Sequence, residues 1–287
     1  MKPAPPYEVG RLNAAYQLRY IWTGWPSKEA FPMGVKSDVL GRIQPSWEGE
    51  GIRVLESSWR PDRIMIMASV SPEVSPVFFT ARIKGRLQYG LRKEGVAVKF
   101  SRKLSMGSVG GGSRQTIERY IGDQVRKEGL VSQDFAEFLE EFTALDGTVD
   151  LSRPTATKSG RYWYNLHLVL VIDERFRLTD RGSLAMLRDT CRRIAGVKEH
   201  RISALSVMPD HVHIALRGRV DESPQEIALA YMNNLAHVAG CYQLWMPSYY
   251  AGTFGDYDMG GVWNHCSSQS DSPTPQGRRG LGGWRVG

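Results

Sequence analysis

Val207-Met-Pro-Asp-His-Val-His-Ile214 is the stretch on which the interpretation of this chain turns. His211 and His213 stand two apart in an apolar run, so on a β-strand both imidazoles leave the same face. Neutral imidazole is a good ligand for divalent metals, and two on one face supply half of a site. Pro209 and Asp210 form the turn that delivers the strand. An isolated H-x-H pair is more often two half-buried histidines bonded to neighbours, so the surroundings have to decide.

Outward from the pair, periodicity supplies the frame. Residues 201–207 and 212–216 alternate as two strands joined by Met208-Pro209-Asp210, and the aromatic, β-branched stretch 162–172 predicts a third. Leu184, Leu187, Cys191 and Ile194 fall on one face of a helix over 184–195. Ser223 and Pro224 suit an N-cap and first helical position, after which Ile227, Tyr231, Asn234 and Leu235 continue one face. The order β-α-β-β-α predicts an α+β sandwich, an antiparallel sheet with helices on one face.

The pattern occurs twice. Tyr16-Gln-Leu-Arg-Tyr20 resembles Tyr164-Asn-Leu-His-Leu168 at a spacing of 148 residues. Trp59-Arg-Pro-Asp-Arg-Ile-Met65 resembles Val207-Met-Pro-Asp-His-Val-His213, and Ser75-Pro76 resembles Ser223-Pro224, both again at 148. Gly107-Ser-Val-Gly110 matches Gly252-Thr-Phe-Gly255 at 145. Two unrelated αβ domains sharing turn vocabulary would give isolated matches of this kind, whereas four in one order favour duplication of a domain. The expected organisation is a first copy over 1–128, ending in a helix over 113–127, and a linker over 129–160 holding an acidic amphipathic helix near 135–142. A second copy covers 161–265, and a Ser/Pro/Gly-rich tail covers 266–287, with the composition of a disordered segment.

Bulk composition narrows the classes. The 287 residues suffice for two domains, and a net charge of +7 biases partners toward polyanions. Cys191, Cys241 and Cys266 form no CxxC pair and leave an odd count, which argues against a disulfide framework or a zinc finger. No apolar run reaches membrane-spanning length, MKPAPPYEVG lacks a signal-peptide core, and no GxxxxGK[ST] phosphate loop occurs. A cytoplasmic protein without membrane partners is expected.

The string Met208-Pro-Asp-His-Val-His213 resembles the signature of the HUH endonucleases, specifically the TnpA-like single-tyrosine transposases of small bacterial insertion sequences. That resemblance implies tandem ferredoxin-like α/β sandwiches packed as a single-chain pseudo-dimer. It also implies a tyrosine nucleophile on a helix with a polar metal ligand one turn later. In the first copy, Tyr120 matches the nucleophile and Gln124 the third ligand of a Mg²⁺ or Mn²⁺ ion held with His211 and His213. The implied activity is cleavage and rejoining of single-stranded DNA at hairpin-bearing ends, through a 5′-phosphotyrosine intermediate and a free 3′-OH.

 No nucleotide triphosphate is needed, because the covalent intermediate conserves the phosphodiester bond energy.

Comparing the copies sharpens this. Where the second has His211 and His213 the first has Arg63 and Met65, and where the first has Tyr120 the second has His265. Such complementary loss fits one composite site, with His211, His213 and Gln124 around Tyr120, and a chemically silent counterpart lined by Arg63, Met65 and His265. The glycines at 110–112 read as a hinge before the tyrosine helix. Basic helix faces, Arg82, Lys84, Arg86, Arg92 and Lys93 in the first copy and Arg188, Arg192 and Arg193 in the second, are either DNA contacts or ordinary solvated faces. The aromatics over 245–250 either stack on bases or pack in the core. With one site per chain, two fused chains associate as a homodimer, or one site works sequentially, or the protein only nicks. The alternative function is a catalytically inactive hairpin-binding protein of the same fold.

Overall fold

The computed structural model describes residues 4–32, 36–96, 98–127 and 132–255, so His265 and the tail over 266–287 lie outside the described residues. The first half runs β1 (Asn13–Gln17), β2 (Arg19–Pro26), α1 (Lys36–Glu48), β3 (Ile52–Arg60), β4 (Arg63–Val70), α2 (Pro76–Lys93) and β5 (Phe100–Val109). It is followed by α3 (Arg114–Gly122), α4 (Gln124–Lys127), α5 (Gln133–Glu140), β6 (Thr143–Leu145) and β7 (Thr155–Ala156). The second half repeats the order with β8 (Gly160–Trp163), β9 (Asn165–Val171), α6 (Arg181–Lys198), β10 (Arg201–Val207), β11 (His211–Arg217), α7 (Pro224–Ala239) and β12 (Ser248–Thr253).

Local chemistry accounts for the helix boundaries. Ser75 and Ser223 each cap a helix that opens on proline, and Ser223 with Glu226 completes a reciprocal capping box. Gly240 ends α7 in the left-handed region at φ 64°, where a side chain would be strained. In β11 the alternate residues Val212, Ile214 and Leu216 join the core with Leu184, Leu187 and Ile194 of α6 and Ile227 and Tyr231 of α7. Each such buried aliphatic side chain contributes roughly 1.5–3 kcal/mol. In β4, Ile64, Ile66 and Ala68 do the same against Phe79, Ile83 and Leu87 of α2.

Two six-stranded sheets result, in the orders β1-β12-β9-β11-β10-β6 and β3-β4-β2-β5-β8-β7. Within each, the strands of one half form an antiparallel, ferredoxin-like core, β12-β9-β11-β10 in the second and β5-β2-β4-β3 in the first. The single strand expected over 162–172 is divided in two, and the start of the first half is divided in the same way. Leu18 and Tyr164, both fully buried, mark the breaks, and the pieces before them cross to the other half's sheet. There β1 pairs parallel with β12, and β8 pairs parallel with β5. The segment over 129–160 also does more than connect, since β6 pairs with β10 and β7 with β8.

The halves meet in reciprocal contacts. The Val77 amide donates to the Val220 carbonyl at 3.0 Å and the Gln225 amide to the Pro72 carbonyl at 2.9 Å, partners that exchange under a shift of 148 residues. The Ser108 hydroxyl donates to the Phe254 carbonyl at 2.7 Å, and the Thr253 hydroxyl to the Val109 carbonyl at 2.6 Å. At this crossing a Cβ on Gly110 would sit 1.9 Å from the Thr253 carbonyl oxygen, and one on Gly255 would sit 2.5 Å from that of Ser108. Gly110 is therefore held by close backbone approach and is no hinge, while Gly111 lies open.

Two further expectations change. The second sheet carries helices on both faces, because Ile121 of α3 packs with Leu151, Ala204, Ala215 and Phe254 on the side away from α6 and α7. The helix expected over 113–127 breaks at Asp123, which caps α3 with non-helical dihedrals. Gly122 faces Leu145 of β6 at ordinary contact distance for a Cβ, and its weak helix propensity makes the break inexpensive.

Candidate active site

Because Val212, Ile214 and Leu216 point to the core, His211, His213, Ala215 and Arg217 point to the opposite face of β11. On the neighbouring strand β9 the same alternation puts His167 on that face, diagonal to His213 in a register that pairs His213 with Val169. His167 Nε2 and His213 Nδ1 are 3.0 Å apart, and their rings stack at 5.2 Å between centroids. The Tyr250 ring, from β12, meets His167 edge-on at 5.8 Å. His167 and its contact with His213 were not expected from the sequence. Its signal was the alternation of 162–172, which places Asn165, His167, Val169 and Val171 together once the strand is recognised.

Above these rings lies α3. The Tyr120 ring packs edge-to-face on His213 at 5.6 Å and on His167 at 5.9 Å. The residue is 40 % exposed. The Lys127 ammonium lies 3.8 Å from the Tyr120 ring centroid, a cation–π contact that carries a positive charge to this face. Gln124 is buried and its amide nitrogen donates to the Tyr120 carbonyl at 2.9 Å, which leaves the amide oxygen as its donor atom for a cation. The structure thus brings together Tyr120 and His213, with Gln124 tied to the backbone of Tyr120 and His211 4.8 Å from His213 between ring centroids.

Asp210 orients the outer imidazole. Its Oδ1 lies 2.6 Å from His211 Nδ1, while Oδ2 accepts from Arg175 at 3.2 Å. A carboxylate on Nδ1 fixes the tautomer that leaves Nε2 free as a ligand. Burial drives the His167 pKa down to about 4. Burial first, then the charges of His167, His211 and Lys127, holds His213 well below the usual histidine range. Both rings are therefore neutral near pH 7, the form that ligates metals. Burial, followed by the neighbouring Tyr120, raises the Tyr250 hydroxyl.

Among the described residues no three His, Cys, Asp or Glu side chains form a ready metal cluster. The donor set that remains is two imidazole nitrogens and the Gln124 carboxamide oxygen, a mixed set suited to a divalent ion that keeps sites for water or phosphate oxygen.

The expected basic residues have the following partners. Arg86 makes a bidentate pair with Glu50, at 2.6 and 3.1 Å, and Arg82 reaches the same carboxylate at 3.3 Å. Lys84 donates to the Ser101 carbonyl, and burial lowers its pKa. Arg92 and Lys93 flank the exposed ring of Tyr89, while Arg188 and Arg192 share Asp189. Trp245 and Tyr249 are core residues, and only Tyr250 of the 245–250 aromatics lies on the histidine face. Arg63 and Met65, at the start of β4, pair with Arg60 and with Ser58 and Thr23.

The second half's sheet carries an H-x-H pair with the tyrosine helix laid over it, and the stretch that holds the pair is similar to a transposase family. More narrowly, residues 161–264 match the family described as "Transposase IS200 like", a stretch shorter than half the chain that holds both histidines but not Tyr120. No curated protein matches the chain. Among solved structures, a transposase candidate from Deinococcus radiodurans R1 is 22% identical over 38% of this chain and 92% of its own, at a TM-score of 0.30. A REP-associated tyrosine transposase bound to a REP hairpin is 14% identical over 36% of this chain and 61% of its own, at a TM-score of 0.29.

Proposed function

We propose that the chain is a tandem duplication of one ferredoxin-like unit, and that it cleaves and rejoins single-stranded DNA at one composite site. The chief support is the packing of Tyr120, from the first half, on His213 of the second. The reciprocal contacts at a shift of 148 residues support the duplication.

In this mechanism the Tyr120 oxygen attacks phosphorus, a Tyr–O–P bond forms, and the bond to the 3′ oxygen breaks. The products are a 5′-phosphotyrosine and a free 3′-OH. Attack by a second 3′-OH reverses the step and joins strands, with tyrosine as leaving group. His211, His213 and Gln124 would hold a divalent ion, Mg²⁺ or Mn²⁺, whose chemistry when bound is to offset charge on the scissile phosphate. Lys127 adds a second positive charge beside the nucleophile. Asp210 keeps His211 in its ligating tautomer. The substrate implied by the family resemblance is DNA with hairpin ends. One site cuts one end, so complete excision calls for two fused chains or sequential use of the site.

The test is to incubate the chain with labelled hairpin-bearing single-stranded DNA and Mn²⁺. A denaturant-resistant adduct forms in wild type and disappears in Tyr120→Phe. Tight binding with no adduct in wild type instead indicates a non-catalytic hairpin-binding protein. Mixing His211→Ala with Tyr120→Phe chains restores no adduct if the site assembles within one chain.

A further inference from the structure

At the end of the second sheet remote from His211, the start of β10, the close of β11, the loop after β6 and the last turn of α6 wall a cavity of about 1220 Å³. Arg201 and Arg217 both line it and are cross-strand partners in register. Two like charges directly opposed destabilise a sheet unless something compensates them. Arg217 is only 8% exposed. One of its terminal nitrogens donates to the Asp150 backbone carbonyl at 3.2 Å, while Nε is buried without a hydrogen-bond partner among the described residues. Burial, then the neighbouring Arg201, lowers its pKa, with the charge of Asp150 opposing them.

The same wall carries a second orphan. The register shift between Ile202 and Ala204 leaves Ser203 outside the ladder, and its hydroxyl is buried with no partner among the described residues. A buried polar group without a partner costs roughly what a lost hydrogen bond costs, so two in one cavity point to a missing acceptor. The nearby carboxylates are engaged elsewhere. Asp146 is bonded to the amide and hydroxyl of Thr148, Asp221 and Glu199 pair with Arg219, and Glu222 pairs with Lys198 and His200. Arg201 forms no ion pair among the described residues.

We propose that this cavity binds a phosphate group, with Arg217 Nε and the Ser203 hydroxyl as buried donors and Arg201 closing on it from the rim. Guanidinium groups match phosphate oxygens in geometry and charge. Arg217 is four residues along β11 from His213, roughly 13 Å at strand spacing, and the Ile121 cluster over Ala215 intervenes. The site thus lies farther along the strand that carries His213, apart from the tyrosine, and does not depend on its chemistry. A free phosphate, a mononucleotide or the backbone of a strand would satisfy the same donors.

The experiment titrates inorganic phosphate, a nucleoside 5′-monophosphate and an unstructured single-stranded oligonucleotide into the full chain by calorimetry at low salt. Saturable binding is expected, weakened about tenfold or more in Arg201→Ala and in Ser203→Ala. Ser203→Ala removes an unsatisfied hydroxyl, so the Tm of the free protein holds or rises while affinity falls, which separates binding from folding. Strongest binding of the oligonucleotide assigns the ligand to a strand backbone, and strongest binding of either small anion assigns it to a free one. No saturable binding of any probe, or affinities unchanged in both variants, overturns the proposal.

Discussion

The faces of the two sheets turned away from α2 in the first half and from α6 and α7 in the second make the most instructive comparison. The second presents His167, His211 and His213, and 148 residues earlier the first presents Arg19, Arg63 and Met65 at the matching strand positions. Asp62 contacts Arg63 at 3.4 Å much as Asp210 contacts His211, so the carboxylate is shared and the imidazole is not. The residues between them, Ile64 and Ile66 against Val212 and Ile214, are fully buried in both. Alternation separates the two demands. Positions facing α2, α6 and α7 are held by the core, whereas those on the other face can change chemistry at little cost to the fold.

The largest expected effect tests the crossing that joins the halves. Gly110→Ala drives a Cβ into the Thr253 carbonyl and should cost about 3 kcal/mol, whereas Gly111→Ala should stay within about 0.5 kcal/mol. Urea denaturation of both variants measures the difference, and equal midpoints would show that the backbones do not approach as described. Next comes the shared carboxylate. Asp210→Ala should lower adduct formation about 10–100-fold, while Asp62→Ala on the first sheet leaves it within about twofold. Comparable losses in both would end the distinction between a working and a silent face.

A smaller effect is set by pH. The His167 pKa lies at about 4 in the folded chain against an ordinary 6.5, so between these values the unfolded chain binds more protons. The stability this represents is fully present above about pH 6.5 and is lost as pH falls toward 4. In chelator, Tm should fall across that window, and His167→Asn should flatten the slope. A parallel slope in the variant would assign the acid sensitivity to other groups. The smallest effect expected is at the silent face, where Arg63→Met should leave adduct formation within about twofold. A large loss there would mean that the first sheet takes part in the chemistry.

Much of this architecture was legible because its signals are local. Ser75, Ser223 and their following prolines marked two helix starts, and the alternation of β10 and β11 placed His211 and His213 on one face. His167 was not found, because its relation to His213 is a matter of register between strands more than forty residues apart. The contact of Lys127 with the Tyr120 ring was also missed, although a spacing of seven residues keeps one face of a helix. The exchanged strands β1 and β8 were also hidden, since an extended segment carries no local mark of the sheet it will join.

The sequence by itself determined the strand and helix periods, the capped helix starts, the doubled order of elements and the residue types available for chemistry. All of these follow from interactions within a few residues of the chain. Only the tertiary structure decided that α3 lies on the second half's sheet, that Tyr120 meets His213 and His167, and that Arg201 opposes Arg217 at a cavity. An amphipathic helix specifies that one face must be buried but not against what, and that choice is made by whichever apolar surface the rest of the fold leaves uncovered.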